Sequence, residues 1–217
     1  CGRYTIDPVP HDRSYFESQL VAVNNYFRSV SYGKFGLDLD QSIVFPLSDE
    51  NSYVLPEKMD YYHPYNQTDL HDQRVTELFR DAIETAYNDD EIDFSNYDHV
   101  VVFHAGIGQD FSLPFLDPTP EDIPSTFIDG DMLQEYVGGV LQFGTTTINQ
   151  GIILPETQNH LFYQESENIF FDAEEPCDYQ YGLTGTFALM LGFAIGLPPL
   201  WDTNSGQSGI GIFGLMD

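Results

Sequence analysis

Six histidines, two cysteines and 35 Asp and Glu carry most of the chemistry open to this 217-residue chain. A zinc ion held on a helix needs two imidazoles four positions apart, so that both lie on one face and share the metal. His11, His63, His71, His99, His104 and His160 contain no pair with that spacing. His99 and His104 bracket an apolar run, and a separation of five points them to opposite faces of a strand. All six read as structural or surface histidines. Cys1 and Cys177 are too few for a disulfide scaffold or a thiolate zinc site. One bridge in an oxidising compartment and two free thiols both fit, and Cys1 as first residue also permits a lipid anchor.

The carboxylates offer a second chemistry. Asp89, Glu91 and Asp93 alternate like the opening of a calcium loop, but the sixth position is not Gly and Val100 occupies the twelfth, which excludes an EF-hand. A looser calcium site at these residues, at Asp129 and Asp131, or at Asp202 stands against the plainer reading of solvated acidic turns. Gly106-Ile107-Gly108 lacks the third glycine of a dinucleotide loop, and Asp110 would face the phosphate, so the segment reads as a turn. Ser125 has no nucleophile motif around it and no evident His and Asp partners.

The formal charge is −28, from 35 acidic against 7 basic residues. Such a field repels a phosphate backbone and an anionic membrane, and it tolerates divalent cations, salt or cationic surfaces. Specific calcium sites and a solubility adaptation to a salty exterior account for it equally well. With 41% hydrophobic and 15% aromatic residues the chain is a folded globule, not a disordered segment. Its longest apolar run, residues 185–200, is broken by glycines and two prolines; it reads as a buried helix and its exit, not a membrane span. With neither an initial Met nor a signal peptide, the chain reads as a mature piece of something longer.

The elements that must position any site follow from periodicity. Asp12 or Ser14 caps a helix whose stripe is Phe16, Leu20, Val23, Phe27 and Val30, ending at Gly33 in a left-handed cap. Phe35, Leu37 and Leu39 alternate with polar residues, and 42–47 is a short apolar run; both read as strands. Residues 48–69 read as a long loop, and 71–87 as a second helix. An acidic turn over 88–98 leads to a strand over 99–103, apolar enough to be buried on both faces. Further strands are expected at 123–128 and 145–154, a short helix at 132–137, and a last helix at 183–195. Interleaved helices and strands without a repeat or linker predict one α/β domain over residues 1–217, with a mixed, twisted sheet.

The last stretch carries the most specific pattern. Gly192, Gly196, Leu197, Pro198, Leu200, Asp202, Gly209, Gly211, Leu215 and Met216 fall in one register. That register closely resembles the signature of the immune-inhibitor-A family of secreted zinc metallopeptidases, in which a His-Glu-x-Gly-His helix is followed by Gly-Leu-Pro, an Asp and a Gly-x-Gly segment ending in Leu-Met. Shorter similarities run upstream through 31–35, 97–106, 122–125 and 153–156, so nearly the whole chain is covered in order. The resemblance implies a zincin-like α+β fold with a buried signature helix.

It also shows what is missing. In that register the two zinc histidines correspond to Leu189 and Phe193, the catalytic glutamate to Met190, and an acidic ligand to Pro199. Leu and Phe offer no lone pair, and a thioether cannot act as a general base. Because the neighbours of these positions are also apolar, the helix is expected to lie in a core, with hydrocarbon filling the metal cavity. The family's substrate cleft lies along a sheet edge, which the resemblance places at Asp122, Ile123, Ser125 and Phe127. It could still take an extended peptide by strand addition. The expectation is a secreted or cell-surface pseudo-peptidase without zinc, partnered by other domains of a larger protein or by surface proteins and peptides, with calcium as a possible cofactor. The alternatives are an active zinc endopeptidase with an unusual metal site and a surface-assembly protein bridged by calcium.

Overall fold

The computed structural model describes residues 6–47, 52–111, 120–158, 182–211 and 214–217. Cys1, Cys177 and His160 lie outside the described residues.

Helix α1 spans Arg13–Val30. Asp12 is its cap, accepting from the backbone N–H of Tyr15 at 3.1 Å, while Ser14 donates to the same carboxylate at 2.8 Å. These bonds hold the Asp12 pKa below the ordinary carboxylate value. The short helix α2 covers Met59–Tyr62. Helix α3 spans His71–Asp90, ending three residues beyond the predicted residue 87, and is capped by Glu91 in the left-handed conformation. Then follow strand β1 (Val101–Ile107), strand β2 (Thr126–Ile128), helix α4 (Gly130–Tyr136), strands β3 (Leu141–Phe143), β4 (Thr146–Ile148) and β5 (Gly151–Thr157), and helix α5 (Leu183–Ala194).

Strand β5 lies between β1, to which it is parallel, and β2, to which it is antiparallel. The sheet is therefore mixed, and β3 and β4 form a separate antiparallel pair. As the central strand, β5 is buried along nearly its whole length. Ile152 and Leu154 face one core with Val23 and Phe27 of α1 and Leu183, Phe187 and Leu191 of α5. Ile153 faces the other, with Val75, Leu78, Phe79 and Ile83 of α3 and Leu133 of α4. This alternation follows from strand geometry and sets helices on both faces of the sheet. Each fully buried aliphatic side chain on β5 contributes about 1.5–3 kcal/mol.

Several predicted strands are not strands. Residues 35–39 and 42–47 are irregular. Phe35 and Leu37 pack onto the core shared by α1 and α5 as spaced anchors, while the backbone is satisfied by side chains: Leu37 N–H donates to Asn24 Oδ1 at 2.9 Å and Phe35 N–H to Ser31 Oγ at 2.9 Å. The run 145–154 is two strands, β4 and β5, broken at Asn149-Gln150. The expected turn at Gly106-Ile107-Gly108 is instead the end of β1, where the register with β5 shifts between His104 and Ile107 and Gly106 takes a positive φ of 96°. The strand expected at 123–128 is shorter because Ser125 is tied elsewhere, as described below.

Candidate functional site

The end of α5 is built from the residues that carry the C-terminal pattern. Gly196 N–H donates to Phe193 O and Leu197 N–H to Gly192 O, each at 2.9 Å. This is a Schellman closure, and it needs the positive φ of 85° that Gly196 supplies. Gly192 answers a different demand: a Cβ there would stand 2.5 Å from the Met216 sulfur. Met216 is buried against this gap, and Leu200 N–H bonds Met216 O at 2.7 Å. The glycines and the methionine of the pattern are thus backbone and packing requirements.

The helix positions that the resemblance aligns with zinc ligands lie on the other side of the helix, and Pro199 lies beyond its end. Leu183, Phe187, Ala188, Leu191 and Ala194 are buried, whereas Leu189, Met190 and Phe193 are half-buried and Pro199 is exposed. The expectation of a helix sealed on all sides is corrected: one face enters the core between α1 and β5, and the other borders a more open region. Phe193 stacks on Phe127 of β2 with ring centres 6.1 Å apart and planes at 28°. The Trp201 ring meets Phe193 edge-on at 5.7 Å. Met190 packs onto the core shared by α1 and α5.

These residues do not fit a zinc ion. The space beside Phe193 is taken by two aromatic rings, and no group at 189, 190, 193 or 199 is a carboxylate, imidazole or thiolate. Asp202 is engaged in its own turn, accepting from Asn204 N–H at 2.9 Å and Ser205 Oγ at 2.8 Å. Those bonds hold its pKa down.

Of the residues considered for a peptide-binding edge, Phe127 lies in β2, which ends the three-stranded order. Asp122, Ile123 and Ser125 precede that strand and are buried. Ser125 donates from N–H and Oγ to Asp110, at 2.9 and 2.8 Å, and accepts from Gln158 Nε2 at 3.1 Å. It therefore has a carboxylate partner that sequence reasoning missed, fifteen residues upstream. Among the described residues no imidazole bonds it, and the cluster ties the chain after β1 to the entry of β2 and the exit of β5. His104 faces two backbone carbonyls, Ala105 O at 2.9 Å and Ile123 O at 3.0 Å. Desolvation pushes its pKa down against the opposing pull of these carbonyls.

The acidic candidates are dispersed. Asp129 caps α4 by accepting from Met132 N–H at 2.9 Å, with Asp131 in the first turn. Asp93 accepts from Ser95 N–H and Oγ at 3.1 and 2.7 Å, Asp89 lies in the last turn of α3, and Glu91 is that helix's C-cap. Among the described residues no three His, Cys, Asp or Glu side chains gather where they could hold a metal, and no helix is long and apolar enough to cross a membrane. Compared with protein-family models, with curated proteins and with solved structures, the chain matches none.

Proposed function

We propose that this chain is a non-catalytic module of metallopeptidase-like, zincin-type fold, secreted or displayed at the cell surface, that binds extended peptide segments along β2. Its partners are other domains of a larger protein or neighbouring surface proteins. The observation that carries this reading is the aromatic cluster in which Phe193 stacks on Phe127 and meets Trp201 edge-on. At the position where the resemblance calls for a zinc histidine, an aromatic ring instead joins the terminal strand to the loop after α5. Such a cluster offers apolar anchorage beside backbone groups of a terminal strand, which is what strand addition uses. It offers nothing that could activate water.

Trp201 is the single tryptophan, so its emission reports on the cluster directly. Titration with a pool of unstructured peptides should shift that emission saturably, and Phe127→Asp should weaken the response at least tenfold. No peptide should be cut, with zinc or with chelator. Cleavage that chelator abolishes and zinc restores would establish a peptidase. A calcium requirement for self-association, with no peptide response, would favour the calcium-bridged assembly.

A further inference from the structure

Helix α2 ends against His63, and α3 begins at His71. The intervening chain turns back through Pro64 and the 3₁₀ turn Thr68–Leu70. This bend brings the two imidazoles together with ring centres 5.4 Å apart and planes at 81°. Two imidazoles sharing one ion at about 2.0–2.1 Å in a tetrahedral arrangement place their ring centres about 5 Å apart. A pairing that the helical spacing rule excludes is thus produced by a reversal of the chain.

Two further observations bear on the pair. His63 Nδ1 is closed off from solvent and has no hydrogen-bond partner, a state that is costly unless another group satisfies it. Burial, and after it the neighbouring His63, push the His71 pKa down, which keeps that imidazole neutral and its lone pair available at neutral pH. The nearest cation on α3, Arg74, is engaged by Glu77 and by the Tyr61 hydroxyl. The N-terminal end of α3 disfavours a positive ion at His71, and the Asp72 carboxylate beside it offsets that field.

We propose that His63 and His71 form a two-imidazole site for a first-row divalent cation such as zinc, nickel or copper, with water completing the coordination shell. Imidazole is the ligand these ions share, and copper should bind tightest. No third side-chain ligand joins them among the described residues. The net charge of −28 raises the local cation concentration around it. The site is unconnected with α5, and an ion held there gives no support to peptidase chemistry.

The test is titration of the metal-free full chain with Cu²⁺ and Ni²⁺ at pH 7.5, read by calorimetry, together with the electron paramagnetic resonance spectrum of the Cu²⁺ form. Wild type should take one tight equivalent whose spectrum shows coupling to two imidazole nitrogens. His63→Ala and His71→Ala should each weaken binding at least tenfold. An all-oxygen copper spectrum on wild type would overturn the proposal, and it does so whether or not the variants fold. So would unchanged affinity in both variants, which would assign the ion to surface carboxylates.

Discussion

Phe187 and Phe193 share a helix but not an environment. Phe187 is 1% exposed and meets Phe103 edge-on at 5.6 Å, whereas Phe193 is half-buried between two rings. Truncating a fully buried Phe costs about 3–5 kcal/mol, and Phe187→Ala should fall in that range by urea unfolding. Phe193→Ala loses less contact and should cost about 1–3 kcal/mol. Equal losses would place 193 in a sealed core and weaken the peptide-binding proposal. The same reasoning applies to protons at His71. In the unfolded chain its imidazole titrates near 6.5, and in the fold it titrates lower. Between those values the unfolded state holds more protons, so stability is fully present above about pH 6.5 and falls as pH drops toward the folded pKa. In metal-free buffer wild type should lose more stability than His71→Gln between pH 7 and 5; His104, shifted in the same direction, acts in both proteins and cancels in the comparison.

Elements differ in how plainly the sequence announces them. Helices α1 and α3 carry a full apolar stripe, and their positions agree with the spacing to within a few residues. Residues 35–39 present the alternation of a strand, yet that pattern records only which side chains touch the core; nothing in it tells whether another strand or Asn24 and Ser31 will take the backbone bonds. The unbroken run of 145–154 likewise hides the change of partner at Asn149-Gln150, where Gln150 Nε2 reaches Ala194 O at 3.0 Å. Within the candidate site, the apolar character of Leu189, Met190 and Phe193 is plain in the sequence, but the meeting of Phe127 with Phe193 joins residues far apart in the chain and depends on the fold. His63 and His71 escaped notice because the spacing rule for a helix does not describe a chain reversal. The core imposes its own test at Gly151, where an added Cβ would fall within the ring of Phe79. Gly151→Ala should cost about 1–3 kcal/mol by overpacking, and Phe79→Leu should recover part of the loss in a double-mutant cycle; additive effects would show that the strand shifts away instead.

At the scale of the molecule, 28 uncompensated negative charges oppose compaction. Raising monovalent salt from about 0.1 M to about 1 M shortens the screening length from about 10 Å to about 3 Å. The midpoint of thermal unfolding should rise by several degrees over that range; a flat response would mean that bound cations already neutralise the surface.

The two cores also differ in when they can be completed. Every described buried residue of the core against α3 and α4 precedes the end of β5 at residue 157, so a nascent chain can supply that half early. The opposite half needs α5, whose last residue is 194. During synthesis at about 5–20 residues per second, the 37 residues from 157 to 194 take about 2–7 s to emerge. Throughout that interval Val23 and Phe27 lack Leu183, Phe187, Ala188, Leu191 and Ala194 as core partners. Helix α1 precedes every other described element in the chain, yet its packing is complete only once α5, the last of them, has been made.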